Sequence, residues 1–159
     1  MDRVASPGRR QLRERSGGHP AGGRAADIGV ALLIDTSLLV AFERDDAAVE
    51  SLGDEERAIS VVTVSELLHG VLRVRGPQQM RRRAVVETIL AAFDAIPITE
   101  PVARIHAEIW ARLSARGSVI GNHDLWIAAT ALSYGFGVAT RNARDFERVA
   151  GLRVLGFAA

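Results

Sequence analysis

From Ala31 onward, short apolar runs alternate with stretches whose apolar residues recur every three to four positions. Ala31-Leu32-Leu33-Ile34 is too short for a helix and reads as a buried strand ending on Asp35. A helix through Ser37–Phe42 is expected next, then a strand over Ala58–Val61. Thr63 opens a second helix carrying Leu67, Leu68, Val71 and Leu72. Gly76-Pro77 breaks the chain, and a third helix runs from about Gln78 to Phe93 with Val86, Ile89, Leu90 and Phe93 on one stripe. Ile96-Pro97-Ile98 reads as a short strand, placed at an edge because Pro cannot donate to a central ladder. Glu100–Arg116 is amphipathic and is stopped by Gly117. Asp124–Tyr134 is the most apolar helix and is expected inside. Strands at Gly137–Thr140 and Leu152–Leu155 complete the pattern. Alternation of strand and helix predicts an α/β fold of three layers, a mostly parallel central sheet covered on both faces.

The first 29 residues break this pattern. They are rich in Gly, Arg, Ala and Pro and show no apolar period, which predicts a disordered tail or an extension ahead of a true start near Val30. Residues 30–159 then form one domain, a size suited to a single core. The tail has no apolar segment of the kind a secretory signal needs, and no stretch in the chain approaches a membrane span.

Composition removes several chemistries. Cysteine is absent, which excludes a disulfide scaffold, a thiol nucleophile and thiolate metal sites, and suits a cytoplasmic protein. All 20 basic residues are Arg, so no mechanism that needs a lysine is available. The net charge of +1 is uneven: the tail carries six Arg against Asp2, Glu14 and Asp27, while the rest is slightly acidic.

Four acids fall at element junctions. Asp35 ends the first strand, Glu66 lies just after the second, Asp124 opens the central helix, and Asp145 follows the strand ending at Thr140. In a parallel sheet ligands bind beyond the carboxyl ends of the strands, where strand order reverses. Each acid also has a plain structural reading. Thr63-x-x-Glu66 fits a capping box, Asp124 complements a helix dipole, and Asp145 suits a turn. Asp35 is harder to dismiss, because a carboxylate directly after a buried run needs a partner or a cation. Clustered carboxylates without lysine repel one another, and a hard divalent ion such as Mg²⁺ or Mn²⁺ relieves that repulsion through oxygen ligands. The same ion draws a phosphate and activates water.

Four stretches carry a resemblance: Leu33-Ile34-Asp35-Thr36-Ser37, Ile59 through Gly70 with Glu66, Asp124-Leu125-Trp126-Ile127-Ala128-Ala129-Thr130-Ala131, and Thr140-Arg141-Asn142-Ala143-Arg144-Asp145-Phe146. Taken in order they resemble PIN-domain nucleases, in particular the VapC-type toxins of toxin–antitoxin pairs. The resemblance covers about residues 31–155. It implies a PIN-like fold and a metal-dependent endoribonuclease in which Asp35, Glu66, Asp124 and Asp145 bind one or two Mg²⁺ or Mn²⁺ ions. Asp35 and Asp124 would be direct ligands, and Glu66 and Asp145 would act through water or complete a second position. Thr36, Thr140 and Asn142 would position carboxylates, water or phosphate, and Arg141 and Arg144 would meet the RNA backbone. Hydrolysis would leave a 3′-hydroxyl and a 5′-phosphate. The resemblance further implies a homodimer, held by a cognate antitoxin. One departure stands out: relatives often carry an extra acid just before the third site aspartate, where this chain has Asn122 and His123.

Other readings fit less well. A haloacid-dehalogenase-like phosphatase needs an Asp where Ser37 stands, and it needs a lysine, as a receiver domain does. No P-loop is present, and Gly135-Phe136-Gly137 precedes a strand instead of opening a helix. Zinc at His123 lacks companion ligands of suitable spacing. His19, His69 and His106 fit solvation or packing. Trp110 and Trp126 fit core or interface positions, and Arg81–Arg83 fits a solvated helix face better than an RNA contact. The rivals that remain are a non-catalytic PIN-like module binding RNA or protein, and a PIN nuclease with no antitoxin.

Overall fold

A computed structural model describes residues 31–42 and 55–157. The expected tail, residues 1–29, lies outside them. The elements run β1 (Leu32–Ile34), α1 (Thr36–Phe42), β2 (Arg57–Ser60), α2 (Val61–Leu72), α3 (Gly76–Ala92), β3 (Asp94–Ile96), α4 (Glu100–Ala115), α5 (Asn122–Tyr134), β4 (Gly137–Thr140), α6 (Ala143–Phe146) and β5 (Val154–Gly156).

The five strands form one sheet in the order β3-β2-β1-β4-β5, and every neighbouring pair is parallel. Successive side chains on a strand point to opposite faces, so each strand feeds two cores. Leu33, Ala58 and Val138 pack on the side of α4, α5 and α6, with Val102, Ile109, Ile127, Ala128 and Phe146. Leu32, Ile34, Ile59 and Ala139 face the other side, with Leu38 and Leu39 of α1, Leu67 and Val71 of α2 and Val86 of α3. The inner positions of these strands are apolar because both faces are covered. Three layers result, as the alternation predicts.

Boundaries moved where local chemistry was misread. Helix α2 begins at Val61, two residues before the expected Thr63, because Ser60 caps it: its Oγ accepts from the Val62 backbone N–H at 3.1 Å. The expected Thr63-x-x-Glu66 capping box therefore does not form, and Glu66 lies in the helix body. Strand β3 ends at Ile96, so Pro97 follows the strand, and β3 is an edge as Pro97 suggested. Helix α5 starts two residues early at Asn122, and β5 lies two residues later than expected. Trp110 is 55% exposed and so is not a core residue. Arg81 and Arg83 are exposed on α3, while Arg82 is half-buried against Gly70.

Strand order reverses between β1 and β4. The chain steps outward from β1 to β2 and β3, then returns to place β4 on the opposite flank. Side chains that leave β1 and β4 at their carboxyl ends therefore stand beside each other, 105 residues apart in sequence.

Candidate active site

Asp35 occupies the switch point. Its backbone N–H extends the ladder to the Ala139 carbonyl at 2.9 Å, while its own carbonyl accepts from Leu38 and Leu39 and starts α1. The residue is thus both strand end and helix start, which fixes its side chain at the sheet edge. Asp35 is 4% exposed, and its carboxylate is held by two hydroxyls, Ser37 Oγ at 2.5 Å and Thr140 Oγ1 at 2.8 Å, both donating to Oδ2. Those hydroxyls are themselves oriented: Ser37 Oγ accepts from the Arg141 N–H at 3.1 Å, and Thr140 Oγ1 accepts from the Asn142 N–H at 2.9 Å. A buried carboxylate is tolerable with this satisfaction.

Glu66 reaches the same edge from α2. Thr36 Oγ1 donates to its Oε2, and His123 Nδ1 lies 2.9 Å from its Oε1. Both oxygens are engaged, one from each side of the crevice. Asp145, in α6, accepts from Asn142 Nδ2 at 2.8 Å, and Arg148 stands 3.8 Å from its other oxygen. Asp124 sits in the first turn of α5, half-buried, its carboxylate folded back over Gly121. Gly121, Asn122 and His123 line a shallow pocket with Glu66 and Asp124.

These carboxylates act on one another. Burial first, and then the charges of Asp35, Asp145 and Glu66, push the Asp124 carboxyl up from 3.8 to about 6, against an opposing pull from His123. All four sequence-predicted acids thus bear on one centre. Among the described residues, however, no three His, Asp or Glu side chains are drawn close enough to form a ready-made metal cage. Asp35, Glu66 and Asp145 each have a hydroxyl, amide or imidazole partner of their own. The set still suits a hard cation. It is all oxygen, the charges of Asp35, Asp145 and Glu66 add to burial in raising Asp124, and Mg²⁺ keeps several waters and takes only one or two carboxylates directly.

The structure brings Thr36, Thr140 and Asn142 into contact with site acids. Arg141 and Arg144 are exposed on the rim, with the Arg141 backbone tied to Ser37. Two residues were missed as parts of the site. Ser37 carries a signal, a hydroxyl in the first helical turn after Asp35. His123 carries none, since 57 residues separate it from Glu66. His106 plays no part there: it is buried, stacked on Trp126 at 3.6 Å, and burial lowers its pKa.

Comparison with known proteins agrees with this geometry. The PIN domain family matches residues 32–152. "Ribonuclease VapC1" of Rickettsia felis is 34% identical over 128 residues, covering 79% of this chain and 96% of the relative. "tRNA(fMet)-specific endonuclease VapC" of Shigella flexneri is 32% identical, covering 76% and 93%. Among solved structures, the VapBC-5 toxin–antitoxin complex of Mycobacterium tuberculosis contains a chain 30% identical with a TM-score of 0.69, covering 80% of this chain and 99% of that one. Nucleases of this family depend on divalent metal. The chain belongs to the PIN domain family, within the VapC ribonucleases.

Proposed function

We propose that this chain is the toxin of a toxin–antitoxin pair, an endoribonuclease whose Mg²⁺ or Mn²⁺ centre is formed by Asp35, Asp124, Glu66 and Asp145. The observation that carries this reading is the setting of Asp124, where burial and then the charges of Asp35, Asp145 and Glu66 raise its carboxyl to about 6. A divalent cation there supplies Lewis acidity toward a phosphate oxygen and makes a water more acidic.

The chain's own groups divide the remaining work. Ser37 and Thr140 both bind Oδ2 of Asp35, which leaves Oδ1 as the oxygen that would hold a cation. Asp124 would supply a second oxygen ligand. Glu66, engaged at both oxygens by Thr36 and His123, acts through water. Asn142 aims Asp145 in the same way. Arg141 and Arg144 lie on the rim beside the acids, where RNA phosphates would pass, and the products would carry 3′-hydroxyl and 5′-phosphate ends.

The partner is an antitoxin, an assignment supported by the likeness to the VapBC-5 complex. The protein acts as a homodimer in the cytoplasm and consists of a PIN domain over residues 30–159. Among the described residues no helix is long and apolar enough to cross a membrane. The test is digestion of total cellular RNA by purified, antitoxin-free protein with Mg²⁺, Mn²⁺ or EDTA. Metal-dependent cleavage that Asp35→Asn abolishes supports the nuclease. RNA binding without cleavage under every metal supports the non-catalytic module instead.

A further inference from the structure

On the flank formed by α4, the end of α5 and the segment after α6 lies a groove of about 350 Å³, linked to the site through Arg148, which stands 3.8 Å from Asp145. Its floor is apolar, with Ile109, Leu113 and Val149, and its rim carries Arg112, Arg116 and Arg148. We propose that this groove binds single-stranded RNA next to the scissile bond, its three guanidiniums meeting backbone phosphates while its apolar floor packs against sugar or base. This inference rests on the nuclease reading and extends it to a binding surface away from the acids.

Three observations argue for that occupant. The first is charge: three Arg stand against one acid, Glu108, at the groove. The second is donor availability. Arg116 has no ion-pair partner among the described residues, and Arg112 and Arg148 meet Glu108 and Asp145 only at 3.7 and 3.8 Å, beyond hydrogen-bond range. A guanidinium held so loosely keeps its N–H fork for a phosphate. The third is continuity. Arg148 spans the groove and Asp145, and Arg116 begins the short segment that leads to Gly121 and Asp124. A polyanion leaving the acidic centre past Asp145 would meet Arg148 first and the other guanidiniums of the groove after it.

The test uses the full chain carrying Asp35→Asn, so that RNA is not consumed, with Ca²⁺ present. Binding of a fluorescent single-stranded RNA is followed by anisotropy across a salt series. Arg112→Gln and Arg116→Gln are each compared with Arg104→Gln, which lies on α4 outside the groove and pairs with Glu100. Arg148 is left intact because it touches Asp145. Each groove variant is expected to weaken binding about tenfold at low salt. Each should also reduce the slope of log affinity against log salt by about 0.7. Arg104→Gln should leave both unchanged. Unchanged affinity and slope in the groove variants overturn the proposal, as does no RNA binding by the parent. So do equal competition by polyglutamate, and a change of oligomeric state in light scattering, which would make the groove an interface between copies. If the groove variants behave as expected but the wild-type chain cleaves no RNA under any metal, the nuclease reading falls and the RNA groove stands.

Discussion

Thr140 Oγ1 donates a 2.8 Å hydrogen bond to Asp35 Oδ2, tying the end of β4 to the end of β1 where the sheet reverses its strand order. The contact joins the fold to the site, because the pairing that buries β1 and β4 also brings hydroxyl and carboxylate together. Removing the hydroxyl leaves a buried carboxylate one donor short. Thr140→Val is expected to cost about 1–3 kcal/mol in urea denaturation. It should also lower RNA cleavage about 10–100-fold, as loss of a ligand's supporting partner does. Thr140→Ser, which keeps the hydroxyl, should recover most of both.

Thr36 and His123 grip Glu66 from opposite sides. If their role is to aim that carboxylate, their effects depend on it. Thr36→Val and His123→Ala should each slow cleavage in the wild-type background and do nearly nothing further in Glu66→Gln. A double-mutant cycle on cleavage rates should give a coupling of about 0.5–3 kcal/mol for each pair. Additive losses would show that Thr36 and His123 act elsewhere.

The raised Asp124 pKa has a stability consequence of definite sign. The metal-free folded chain holds the Asp124 proton up to about pH 6, whereas an unfolded chain releases it near 3.8. Between those values the folded state binds more protons, so stability falls as pH rises through that window. The penalty is absent below 3.8, accumulates to about pH 6 and is constant above. In EDTA, Asp124→Asn should therefore gain thermal stability relative to wild type as pH rises from 4 to 7, by an amount that solvent at this half-exposed group keeps modest. Adding Mg²⁺ at pH 7 should remove the difference. A relative stability that does not vary with pH would contradict the raised pKa.

Gly121 stands where a side chain would crowd the site. A Cβ there would lie 3.3 Å from Asp124 Oδ2, closer than such contacts normally are. Gly121→Ala is expected to push that carboxylate aside by a few tenths of an ångström, leaving fold and melting temperature nearly unchanged. Cleavage should fall while RNA affinity, measured in an Asp35→Asn background, stays the same. An unaltered rate would mean that the Asp124 position tolerates such a shift.

Much of this was legible in the chain. Strand and helix periods gave the layer order, and the four acids were placed at strand ends because each follows an apolar run or opens a helix. What escaped reading was local and competitive. Ser60 and Thr63 both suit an N-cap, and only the packing of α2 decides that Ser60 takes the role and frees Glu66. Ser37 looked like an ordinary helix residue until β4 brought Thr140 beside it at 3.2 Å. His123 meets Glu66 through the docking of α5 near α2, which no local spacing encodes. The arginine groove likewise depends on α4 and the segment after α6 coming together.

In the reading proposed above, Asp35, Glu66, Asp124 and Asp145 form one cation-dependent cleavage centre. Its most direct measurement is calorimetric titration of Mn²⁺ into the full, antitoxin-free chain at pH 7, beside Asp124→Asn of equal fold by circular dichroism. Wild type is expected to bind Mn²⁺ with release of protons, and the variant to bind it at least tenfold more weakly. Equal Mn²⁺ affinity in the two proteins, or no binding by the wild type, would contradict it.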